Sequence, residues 1–232
     1  MKLNSIPVAA VRRLSLYLRQ LEAFQQAGTL TVSSRQLGDA LAITDAQVRK
    51  DLAYFGQFGH PGLGYKVDDL ITRIRHILGT DKTWNVVVIG AGNLGRALLQ
   101  YRGFGKKGFH VVAAFDSNSA KVGQFIGGTP VLPMEDLPRI VQERGVRLAL
   151  LAVPAESAQE VCNQLARAGV MGVLNFAPIN LAPAPPLAVN AVDLAVQLEQ
   201  LSFQVTTHLE AAETGENGDR ERGTAGEETD GL

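Results

Sequence analysis

The residues best placed to do chemistry are Gly90-Ala91-Gly92-Asn93-Leu94-Gly95-Arg96, which follow a strand-like run from Trp84 to Ile89 and open an apolar helical stretch. In a loop of this pattern the first glycine makes the strand-to-helix turn, the second lets the backbone approach a pyrophosphate, and the third allows close helix packing. Free N–H groups and the helix dipole then favour the anion. Asp116 stands 21 residues after Gly95, closing the run Val111 to Phe115. It suits the adenosine ribose hydroxyls and repels a 2′-phosphate, which favours NAD(H) over NADP(H), with Lys121 the nearby cation that would soften that repulsion. Later strand-like runs end in Val153-Pro154 and in Asn175-Phe176-Ala177. In an open parallel sheet such strand ends hold the ligand, so these five residues are expected to line the nicotinamide end. An apolar lining disfavours the charged ring of NAD+ more than the neutral ring of NADH.

A different chemistry is written upstream. Leu14, Leu18, Leu21 and Phe24 recur at helical spacing between Pro7 and Gly28. A second helix is expected after the capping pair Ser33-Ser34, and a third from Asp45 to about Tyr54, capped by Thr44. Two short helices joined by a tight break form a helix-turn-helix, whose second helix can enter a DNA major groove. Val48 and Leu52, four apart, should face the core. Gln47, Arg49, Lys50 and Tyr54 are then the outward set able to reach bases or phosphates, with Ser33 and Ser34 beside them. The glycines of GQFGHPGLGYKV, with His60 among them, predict a hairpin wing, and a further helix is expected from Asp68 to Leu78.

Charge supports this division of labour. Residues 1–83 carry 11 basic and 7 acidic side chains, 84–209 carry 9 and 8, and 210–232 carry 2 and 8. The basic excess lies with the helix-turn-helix. The acidic tail has no apolar periodicity past Leu209 and is expected to be disordered. Apolar runs are strand-sized and no signal peptide or membrane span is evident, so a cytoplasmic location is expected. The single cysteine, Cys162, should be a buried helix residue, and no metal site is indicated.

With these residues in hand, the chain resembles the Rex family of redox-sensing transcriptional repressors. The resemblance rests on QVRKDLAYFG (47–56), GLGY (62–65), VIGAGNLGRAL (88–98), AFDSNSAKVG (114–123), LLAVP (150–154) and NFAP (175–178). It implies a homodimer on an inverted-repeat operator, with Arg49 and Lys50 on the recognition helix, the wing in the minor groove, and release of DNA when NADH binds. It also implies a C-terminal helix, 192–209, exchanged into the partner, and switch residues Arg19, Tyr101 and Asp193. Leu194 stands where some members carry Phe, and Pro61 where many carry Arg.

The expected fold is therefore α/β: a winged helix-turn-helix domain (1–83), a Rossmann-like doubly wound parallel sheet (84–191), the exchanged helix (192–209) and the tail (210–232). Two rival readings are a NAD-dependent dehydrogenase and a regulator binding coenzyme A. None of the four histidines, His60, His76, His110 and His208, is an obvious acid or base, and about 126 residues from Trp84 to Leu209 leave no substrate domain. The 3′-phosphate of coenzyme A would meet repulsion at Asp116. A catalytic role is not expected.

Overall fold

The computed structural model describes residues 6–59 and 63–223, with only the backbone described for 211–223. The chain divides into two compact units, one built from the stretch up to Trp84 together with Tyr101–His110, the other from Asn85–Gln100 and from Val111 onward.

The first unit begins with α1 (Val8–Gln26), whose face Leu14, Tyr17, Leu18 and Leu21 is buried. Then come strand β1 (Thr31–Val32), α2 (Ser34–Asp39) and α3 (Asp45–Ala53). Ser33 caps α2 in a reciprocal box with Gln36, and the Thr44 hydroxyl accepts from the Gln47 N–H to start α3. Val48 and Leu52 are buried as their spacing predicts, against Leu37 of α2 and the apolar side of α1. Strand β2 (Tyr65–Lys66) precedes α4 (Val67–Leu78), which packs on α1 through Leu70, Ile71 and Ile74.

The expected hairpin wing falls partly on residues 60–62, His60 and Pro61 among them, which lie outside the described residues. Tyr65–Lys66 pairs antiparallel with Thr31–Val32, a strand that lies ahead of α2 and α3.

The second unit is a seven-stranded sheet in the order β5-β6-β4-β3-β7-β8-β9. Its strands are β3 (Trp84–Ile89), β4 (Phe109–Asp116), β5 (Phe125–Ile126), β6 (Thr129–Pro133), β7 (Leu148–Leu151), β8 (Gly172–Asn175) and β9 (Ala188–Ala191). Pairings β3–β7, β4–β6, β7–β8 and β8–β9 are parallel, and the β5–β6 hairpin is antiparallel. From β3 the chain fills one side of the sheet through β4 and β6, then returns to lay β7, β8 and β9 on the other. This reversal opens a crevice at the carboxyl ends of β3 and β7, where open α/β sheets bind ligands. Helices α5 (Asn93–Gln100), α7 (Leu137–Glu143) and α8 (Ala155–Ala168) lie in the crossovers, while α6 (Gly103–Lys106) belongs to the first unit.

Phe115, Ile89, Leu151, Leu137 and Leu165 fill the core of this unit, together with Cys162 on α8. Burial pushes the Cys162 thiol pKa up, so little thiolate forms at neutral pH. The native protein should therefore leave a thiol reagent such as DTNB unreacted, whereas the unfolded chain should titrate one thiol; rapid reaction of the native form would contradict this burial.

Two boundaries differ from expectation. Residues 101–110 join the first unit although they follow the glycine loop, held there by the Trp84 N–H donating to the Gly108 carbonyl (2.8 Å) and by the Lys107–Glu22 ion pair. The C-terminal helix α9 spans Leu194–Gly223, so the stretch after Leu209 expected to be disordered continues as helical backbone to Gly223. Propagating a helix costs less than nucleating one, and the Ala, Glu and Arg of this stretch are good helix formers. Residues 224–232 lie outside the described residues. Among those described, no helix is long and apolar enough to cross a membrane.

Candidate dinucleotide cleft and nucleic-acid interface

In the second unit, the loop after β3 makes the turn its glycines predict. A Cβ at Gly95 would collide with the Gly90 carbonyl oxygen, so only glycine lets α5 start this close to the turn. At Gly92 the reverse holds. A Cβ there would meet no protein atom within 4 Å, because that position faces open space at the mouth of the cleft. That is the geometry of a backbone a ligand can approach.

The cleft encloses about 590 Å³ and is lined by Gly90, Gly92, Asp116, Lys121, Val153 and Pro154 among others. Asp116, at the carboxyl end of β4, is buried and accepts three hydrogen bonds: from the Ala91 N–H (2.8 Å), the Asn118 N–H (2.8 Å) and Lys121 Nζ (2.9 Å). Burial pushes its carboxyl pKa up, but these donors outweigh that and hold it below the usual carboxylate range. Asp116 is thus an anion at neutral pH, wired directly to the glycine loop. One carboxylate oxygen, Oδ2, holds both Ala91 and Lys121, while Oδ1 keeps spare acceptor capacity.

Other expected ligand residues are placed around this centre. Asn93, Leu94 and Arg96 form the first turn of α5, with Leu94 and Arg96 exposed. Asn175 is buried, and its amide is spent on its own loop: Nδ2 donates to the carbonyls of Ala177 (3.1 Å) and Ile179 (3.0 Å), and Oδ1 accepts from the Ala177 N–H (2.9 Å). Its role is to shape the turn that carries Phe176 and Ala177. These three residues do not line the cleft, which instead adds Ser117, Asn118, Met134, Ser157, Glu160 and Gln164. Sequence reasoning missed those on α8, where one side of an amphipathic helix turns to the cleft; its polar stripe looks the same whether it faces water or a ligand.

In the first unit, Arg49 and Lys50 are exposed on α3. The Arg49 guanidinium is oriented by Asp45 Oδ2 (2.7 Å) and by Ser34 Oγ (3.1 Å). A groove of about 470 Å³ beside them brings Ser33, Ser34 and Arg49 together with Gln57 and Tyr65. Tyr54 is partly exposed at the end of α3. Gln47 corrects the outward reading: it is half-buried, and its amide nitrogen donates to Asp51 Oδ1 (2.7 Å).

Asp51 itself was not anticipated. It is fully buried on α3 and accepts from Arg13 Nη2 (2.7 Å) and the Tyr17 hydroxyl (2.7 Å), both on α1. The signal was an acid at a position whose helical neighbours, Val48 and Leu52, both face the core. Burial raises its pKa, yet the hydrogen bonds from Arg13, Tyr17 and Gln47 win and keep it below the ordinary range.

Of the residues the resemblance singles out, Arg19 is exposed on α1 and makes no side-chain hydrogen bond among the described residues. Tyr101 is exposed and stacks edge-on against Phe104 at 4.9 Å. Asp193 caps α9, its Oδ1 accepting from the N–H groups of Ala195 (2.9 Å) and Val196 (3.2 Å). Leu194 is exposed, as are Leu198, Leu201, Phe203 and Leu209 along the same helix. Among the described residues no cluster of histidine, cysteine and acidic side chains could hold a metal ion.

Comparison with known proteins adds independent findings. Residues 5–53 match the family model described as putative DNA-binding protein N-terminus, and residues 81–179 match the CoA binding domain. The redox-sensing transcriptional repressor Rex of Carboxydothermus hydrogenoformans is 48% identical over 205 residues, covering 88% of this chain and 99% of that protein. The Rex repressor of Desulforamulus reducens is 46% identical over a stretch covering 88% and 98%. Among solved structures, RSP in complex with β-NAD+ and operator DNA aligns with a TM-score of 0.83 at 34% identity, covering 91% of this chain and 98% of that one. RSP in complex with β-NADH aligns with a TM-score of 0.81 at 32% identity, covering 90% and 99%.

Proposed function

Because the chain belongs to the Rex family of redox-sensing transcriptional repressors, we propose that it binds inverted-repeat operator DNA as a homodimer and lets go when NADH enters the cleft of its second unit. The observation that carries this reading is the presence in one chain of an oriented Arg49 on a helix-turn-helix and an open-faced Gly92 loop wired to Asp116. Val153 and Pro154 give the cleft an apolar portion, which disfavours the charged ring of NAD+ relative to NADH. The bare apolar side chains of α9, Leu198, Leu201 and Phe203 among them, are a surface that a second copy would cover. This supports the exchanged helix, with Arg19, Tyr101, Asp193 and Leu194 as the switch between open and closed dimers. Domain limits of 1–83, 84–191 and 192–209 serve this scheme, with Tyr101–His110 as an excursion from the second to the first. The setting is the cytoplasm, where the NADH/NAD+ balance is the signal.

The test is fluorescence anisotropy of a labelled inverted-repeat operator, titrated with NADH, NAD+ or coenzyme A at fixed salt, since salt alone shifts DNA affinity. Release by NADH at concentrations where NAD+ does little is the expected result. Release by coenzyme A alone would overturn the NADH reading. Linkage adds a second requirement: operator must weaken NADH binding by the factor by which NADH weakens operator binding.

Arg49→Ala should lower operator affinity roughly 10- to 100-fold, the range of one good base or phosphate contact, while NADH affinity measured without DNA stays unchanged. Its partners Asp45 and Ser34 are surface groups that water can satisfy, so the fold should survive. Loss of NADH binding in this variant would show instead that the mutation unfolds the chain.

A further inference from the structure

The chain's excursion Tyr101–His110 has both of its covalent ends in the cofactor unit. It leaves from α5, whose first turn is the glycine loop, and returns into β4, which ends at Asp116. Yet the excursion itself belongs to the first unit, with the helix-turn-helix. Its anchorage there is specific. Glu22 of α1 is largely buried and binds two cations at once: Oε2 accepts from Lys107 Nζ at 2.6 Å, and Oε1 from Arg75 Nη2 of α4 at 2.9 Å. The arm is also stiff, because Tyr101 and Phe104 stack on each other and the Gly108 carbonyl is bonded to the Trp84 N–H.

We propose that Tyr101–His110 is a coupling arm and that Glu22, gripping Lys107 while fixed by Arg75, is the joint through which the cofactor loop moves α1 and α4. A shift of α5 or β4 on ligand binding is carried along a short covalent path to Lys107. The joint passes it to α1, and α1 holds the recognition helix through Arg13, Tyr17 and Asp51. The ion pair binds neither cofactor nor DNA; Lys107 and Glu22 are positioning residues. Their effect falls on the coupling between the two ligands rather than on either affinity alone. This inference rests on the repressor reading above.

The experiment measures operator dissociation constants with and without saturating NADH, and NADH dissociation constants without DNA, for the wild type, Lys107→Met, Lys107→Arg and Glu22→Gln. Melting temperatures control for folding. Lys107→Met should leave each separate affinity within about twofold while the ratio of operator constants shrinks by about fivefold or more, a large part of a typical allosteric coupling. Lys107→Arg, which keeps the charge, should restore most of the ratio. Glu22→Gln, which releases both cations, should lose at least as much as Lys107→Met. An undiminished ratio in Lys107→Met and Glu22→Gln overturns the joint while leaving the repressor reading intact. A wild type whose operator binding ignores NADH overturns both.

Discussion

Gly92→Val should yield a protein that holds operator DNA equally well with and without saturating NADH. The reasoning is steric and one-sided. A Cβ at Gly92 has no protein atom within 4 Å, so the valine side chain costs the fold little, and its bulk projects into the space a pyrophosphate would take. Expected values are an NADH affinity lowered by at least about 100-fold, as a clash at a closely approached backbone imposes, and an operator affinity within about twofold of wild type. The same substitution at Gly95 would be uninformative, because its Cβ would strike the Gly90 carbonyl and distort the loop itself. Isothermal titration with NADH and anisotropy with operator, each beside a melting curve, decide the matter. An unchanged NADH affinity would remove the cleft from the dinucleotide site.

The second large effect should come from Asp51→Asn. Asparagine keeps the shape of the side chain but not its charge, leaving the Arg13 guanidinium without its counterion and presenting an amide N–H2 towards the donors of Arg13, Tyr17 or Gln47. Breaking a buried pair by removing one partner costs about 3–5 kcal/mol. The lower end applies, since the Arg13 side chain keeps 27% of its surface in solvent. About 3 kcal/mol is a large fraction of the stability of a unit this small and should lower its melting temperature by roughly 10–20 °C. Operator binding at 37 °C should fail while NADH binding persists, because the cleft belongs to the other unit. The pH dependence follows from the depressed carboxyl. Its stabilising contribution is complete above the unfolded value of about 4 and is lost as pH falls through the lower folded value. Wild type should therefore lose stability in that acid window, and Asp51→Asn should lose less there. Equal acid sensitivity in both proteins would show that the buried network contributes nothing.

Much of this site was legible in the sequence. The glycine loop, Asp116, the caps Ser33 and Thr44, and the buried pair Val48 and Leu52 all follow from residues within one or two turns of each other. Helix phase and strand-to-helix turns are local properties. The cleft walls from α8 were not legible, since an amphipathic helix has the same pattern whether its polar edge faces water or a ligand. Gln47 misled for a related reason: at the margin of the buried face, its direction depends on a partner, and the partner was an acid that composition alone assigns to solvent.

Sequence by itself thus determined what kinds of elements form and where the glycine loop, the helix-turn-helix and Asp116 lie. The tertiary structure alone decided which distant groups meet. Arg13 reaches Asp51 across 38 positions and Glu22 reaches Lys107 across 85. β2 pairs with a strand ahead of α2 and α3, and Tyr101–His110 leaves the cofactor unit for the other. Such contacts carry no periodic signature in the chain, because their energy comes from removing charged and backbone groups from water only when both partners arrive together.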